Sequence, residues 1–66
     1  MEKHCAYNLL TGEVIACSTN RGLKRRVRLV NQISRNWDYP IGKWVFSHKG
    51  INALMEKVKT KYAASI

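Results

Sequence analysis

Acidic residues are scarce. Only four, Glu2, Glu13, Asp38 and Glu56, stand against twelve lysines and arginines, and none lies between Val14 and Trp37. The four are scattered and show no pairing of the kind that general acid–base catalysis uses. Glycine is also sparse, with four residues that form no phosphate-cradling loop. The sequence therefore predicts a protein that is not an enzyme and carries no cofactor.

Two cysteines, Cys5 and Cys17, are too few for a disulfide framework. They are expected to be reduced and buried as small apolar residues. With His4 and His48 they lack the ligand spacing of a zinc site, so no metal is expected. His4 and Cys5 are neighbours on one strand, which sends their side chains to opposite faces and keeps them from acting as a pair. No apolar run is long enough to span a bilayer. The opening "MEKHCAYNLL" has no long apolar stretch ending in a cleavage site. These absences point to a cytoplasmic chain.

What is present is a small, basic, foldable chain. At 66 residues it is read as one domain, 1–66, with 45% apolar and 24% charged residues, ordinary values for a folded protein. A domain of this size buries only about 60% of the surface its unfolded chain exposes, so a homodimer would be one source of added stability.

Residues 5 to 17, "CAYNLLTGEVIAC", predict a β-hairpin. Gly12 suits a positive φ, and the Asn8 side chain can bond its own turn. With residues 9 to 12 as the loop, Tyr7 faces Val14 and Asn8 faces Glu13. Cys5, Tyr7, Val14 and Ala16 then share one face, taken as the core side; His4, Ala6, Ile15 and Cys17 share the other.

"STN", residues 18 to 20, supplies helix-capping residues, and a helix is expected from about 20 to 37. Leu23, Val27, Val30, Ile33 and Trp37 form its apolar stripe, with Leu29 at the margin. "DYPIG" ends the helix, because the residue before Pro40 is biased away from helical geometry. "KWVFS" predicts a strand. Ser47 is the expected cap of a last helix, about 48 to 63, whose stripe is Ile51, Leu54, Met55, Val58 and Tyr62. The fold class is α+β in the order β-β-α-β-α: a three-stranded, mostly antiparallel sheet with both helices packed on one face.

All five arginines lie between positions 21 and 35. Arg21, Lys24, Arg25, Arg28 and Arg35 fall on the helix face opposite the Leu23–Val27–Val30 stripe, with Asn31 and Gln32 close by. Arg26 falls among the apolar residues, where its stem can run past the stripe to water. An ordinary solvated helix face mixes signs, because acid–base pairs four apart add stability. This face has no acid, and its like charges repel one another and oppose the helix dipole. A polyanionic partner would account for that arrangement.

Arginine's planar fork bonds phosphate oxygens in pairs, and Asn31 and Gln32 have the groups that read adenine edges. Trp37 and Trp44 are expected in the core, whereas Tyr39 is the aromatic expected at the surface and able to stack on a base. The first reading is a nucleic-acid binder, of DNA or RNA, using Arg21, Lys24, Arg25, Arg28, Gln32, Arg35 and Tyr39. The alternative is an interaction module, a small inhibitor or adaptor, that docks the same face on an acidic protein surface. A membrane partner is not expected, since the apolar face is needed for the core.

Overall fold

The computed structural model of the chain describes residues 3–61. Five elements follow in order: β1 (His4–Asn8), β2 (Val14–Cys17), α1 (Asn20–Asn36), β3 (Trp44–Ser47) and α2 (Ile51–Lys61). The strands form one antiparallel sheet in the order β2-β1-β3, so the first strand is the central one. The fold is α+β, as the patterning predicts.

The hairpin register is the expected one: Tyr7 lies opposite Val14 and Cys5 opposite Ala16. Its turn is built as the residue types require. Asn8 Oδ1 accepts from the Leu10 and Thr11 amides at 2.8 and 3.0 Å, and Gly12 takes φ 77°. The Asn8 side chain also donates to Ile41 O at 2.9 Å, which fastens the hairpin turn to the segment entering β3.

α1 begins where the capping residues predict. Thr19 Oγ1 accepts from the Gly22 amide at 3.0 Å, satisfying a donor that the helix itself leaves unpaired. It ends at Trp37, after which Asp38 adopts φ 57° and Pro40 prevents continuation. α2 starts later than expected. Ser47 belongs to β3, and Gly50, at φ 101°, turns the chain so that its carbonyl accepts the first helical bond, from Leu54 N at 3.2 Å. Tyr62, the last member of the expected stripe, lies outside the described residues.

The layering differs from expectation. The helices cover opposite faces of the sheet, not one. Leu23 and Val27 of α1 bury Ala6 and Ile15, with Cys17, Trp44 and Phe46 packed around them. Leu54 of α2 buries Cys5 and Val45, with Tyr7, Ala16, Met55 and Val58 beside them. The physical reason is strand geometry: Cys5 and Ala6 are neighbours on β1, both fully buried, and adjacent strand residues point to opposite sides. A one-sided sheet would have left one of them in water.

The result is a three-layer sandwich only three strands wide. Its Cα atoms span 31 × 30 × 11 Å, and the thin dimension matches two strand spacings of about 4.8 Å each. Two side-chain bonds hold the layers together. Trp44 Nε1 donates to Asn31 Oδ1 at 2.9 Å across α1 and β3, and Lys57 Nζ donates to Phe46 O at 2.9 Å across α2 and β3.

Among the described residues, no helix is long and apolar enough to cross a membrane. Cys5 and Cys17 form no disulfide. They lie on adjacent strands but on opposite faces, which separates the thiols despite their proximity in the hairpin.

Candidate functional site

α1 is anchored on the sheet by Leu23 and Val27, and this fixes where its other residues point. Arg21, Lys24, Arg25, Arg28, Gln32 and Arg35 are all exposed. The helix holds no acid, and its first turn contains none to offset the cations there.

The surface along these residues is concave. A groove of about 610 Å³ runs between α1 and β3, lined by Lys24, Arg28, Gln32, Arg35, Asn31, Asn36, Val27 and Phe46. A second hollow, about 260 Å³, is lined entirely by Arg21, Lys24, Arg25 and Arg28. A third, about 370 Å³, lies at the start of the helix between Thr19, Arg21, Gly22 and Arg25. The structure thus brings the five predicted cations and Gln32 onto one continuous flank. Four guanidinium or ammonium groups sharing a hollow without a carboxylate is an arrangement that an anion relieves, because it replaces mutual repulsion with charge-assisted hydrogen bonds.

Tyr39 is exposed, as expected, but lines none of these three hollows. Its amide donates to Ser34 O at 2.8 Å, which holds it beyond the helix end. Asn31 is not available as a base reader in the expected way. It is half-buried, and its Oδ1 holds Trp44. Gln32 remains free to face a partner.

Three features escape sequence reasoning. Phe46 and Asn36 line the main groove; Phe46 reaches it through strand pairing, which helix periodicity does not contain. His4 and His48, far apart in the chain, meet with their Nδ1 atoms 2.8 Å apart. Among the described residues, however, no group of three or more metal-ligating side chains forms.

The third feature is a correction. Ile33 and Trp37, expected in the core stripe, are 50% and 70% exposed, and Leu29 is 54% exposed. The sheet is too narrow to cover the whole apolar arc of a helix of 17 residues, so its far margin stays in water. Leu29, Ile33 and Trp37 follow at i, i+4 and i+8 and form a stripe of their own. Arg26 is exposed beside them. α1 therefore has three flanks: one on the core, one basic, one apolar and open.

No family model matches the chain, and no curated protein or solved structure matches it significantly.

Proposed function

We propose that the protein binds nucleic acid through α1, gripping phosphates with Arg21, Lys24, Arg25, Arg28 and Arg35. The observation that carries this reading is the hollow lined solely by Arg21, Lys24, Arg25 and Arg28 on a helix without acids. Neutralising phosphates releases condensed counterions, so binding is driven by entropy and weakens with salt. The remaining positive charge, in a total of +8, extends the attracting field beyond the helix. Base reading is limited, since Asn31 Oδ1 is held by Trp44 and only the Gln32 and Asn36 amides along the groove have uncommitted side chains.

The test is the salt dependence of binding to duplex DNA. Five phosphate contacts predict a slope of log affinity against log salt of about −4.5. Changing Arg25 and Arg28 to Ala should flatten it by roughly 2 units and leave the fold intact, because both side chains point to water and Ala favours helix. Lys49 and Lys59 to Ala is the matched control: it removes the same charge away from α1. Lys57 is unsuitable as a control, since it bonds Phe46 O. Equal weakening by the control pair would exclude α1 as the site. Absence of salt-dependent binding to DNA or RNA at about 50 mM salt would refute the proposal.

A second reading has one observation in its favour. Leu29 and Ile33 are aliphatic and exposed next to the basic flank, which suits an acidic protein surface with an apolar centre. Nuclease-resistant recovery of one acidic protein from lysate, by a chain that binds neither DNA nor RNA, would establish it in place of the first.

A further inference from the structure

The basic and apolar flanks of α1 run side by side along the outside of the same helix. Lys24, Arg28 and Arg35 border the groove toward β3; Leu29, Ile33 and Trp37 lie on the other side of the helix crest. Arg25 stands between them, one turn from Leu29. Residues four apart on a helix advance about 6 Å along its axis, so Leu29, Ile33 and Trp37 mark a track roughly 12 Å long that continues the Arg21–Arg25 row toward the C-terminal end of the helix, with Arg28 and Arg35 alongside it. Trp37 is 70% exposed and Tyr39, just past the helix end, is 64% exposed. Two large aromatic rings in water near a run of arginines are unexplained by the fold, which buries neither.

A nucleic-acid duplex does not use such a pair of tracks. Its outer surface is phosphate and sugar, and the flat faces of its bases are stacked within. A single strand presents both chemistries along its length: a line of phosphates and a line of unstacked aromatic rings.

We propose that the ligand of α1 is single-stranded nucleic acid. Its phosphates lie on the basic flank, and its bases lie over Leu29, Ile33 and Trp37, with Tyr39 as a further stacking platform. The inference rests on the phosphate-gripping reading of Arg21, Lys24, Arg25, Arg28 and Arg35. It adds the charge complementarity of that flank to the exposed rings beside it. Stacking is tolerant of sequence, because every base has a π-face. The protein should therefore show weak base preference but a strong preference for unpaired strands.

The test compares labelled oligothymidylate of about 20 nucleotides with a duplex of the same length, using the whole chain. The single strand should bind at least tenfold more tightly and quench Trp37 fluorescence. Trp37→Ala should lower single-strand affinity by about 5- to 150-fold, leave duplex affinity unchanged and leave the salt slope unchanged, since no phosphate contact is lost. Trp37→Phe should restore most of the loss, because it restores a ring. Circular dichroism should show both variants folded. Arg25→Ala with Arg28→Ala should instead flatten the single-strand slope by about 1.4 units.

Duplex binding as tight as single-strand binding, or equal weakening of both by Trp37→Ala, overturns this inference and leaves the phosphate grip standing. Binding to neither oligonucleotide overturns both. A blue shift of Trp37 emission on anionic lipid vesicles, with no response to oligonucleotides, would assign the two flanks to a bilayer surface instead and overturn both as well.

Discussion

Asn8 is 2% exposed and makes three side-chain hydrogen bonds, to Leu10 N, Thr11 N and Ile41 O. Asn8→Ala removes all three. At about 1 kcal/mol net for each, the loss is about 3 kcal/mol, and the vacated space near the turn adds to it. A 66-residue domain has a total stability of about 3–10 kcal/mol, so the substitution consumes a large part of what is available. In a domain of this size each 1 kcal/mol moves Tm by about 4–8 °C, which puts the expected fall at roughly 12–24 °C. Thermal and urea unfolding followed by tryptophan fluorescence, with unchanged m-value, would measure it. Asn8→Asp separates the components. It keeps the oxygen that accepts both turn bonds but sets a buried carboxylate against the Ile41 carbonyl. It should be nearly as destabilising at neutral pH and partly recover in acid, where a protonated carboxyl donates to Ile41 O. A fall in Tm of less than about 3 °C for Asn8→Ala would show that the two loops are held by something other than this side chain.

Gly42→Ala should cost as much or more: a Cβ there would lie 2.5 Å from Asn8 Oδ1 and 2.8 Å from Leu10 Cβ, at a backbone φ of 76°. Calorimetry would measure the loss, and a Tm within about 3 °C of the parent would refute it. In the native protein, alkylation should modify Cys17, which is half-buried, well before Cys5, which is fully buried, and intact mass without reductant should show both as thiols; simultaneous labelling or a mass two protons lower would count against this.

Much of the fold was legible because it depends on local chemistry. Asn8 and Gly12 set the turn, the turn sets the register, and Thr19 starts α1. The placement of the helices on opposite faces was not read, although its signal is present. β1 carries Cys5, Ala6 and Tyr7 in succession, and a strand apolar on both faces is one that is covered on both faces. A sheet with one face in solvent leaves that run unexplained. The basic flank was legible because five cations on a 3.6-residue period need no tertiary information. The open apolar flank was not, because whether Ile33 and Trp37 are covered depends on how wide the sheet is. The groove toward Phe46 likewise depends on the pairing of β3 with β1, which joins segments more than thirty residues apart.

The sheet acts as a partition between two small interiors. One holds Ala6, Ile15, Leu23 and Val27; the other holds Cys5, Val45 and Leu54. Neither is large enough to persist alone, so each depends on the other through the wall they share. This bears on how loss-of-function variants are to be interpreted. A screen for chains that no longer bind would recover polar substitutions at Leu54, on the side away from α1, as readily as substitutions among the arginines. Only the second group would leave a folded chain behind, so the map of sensitive positions would cover both faces while the proposed contact surface occupies one.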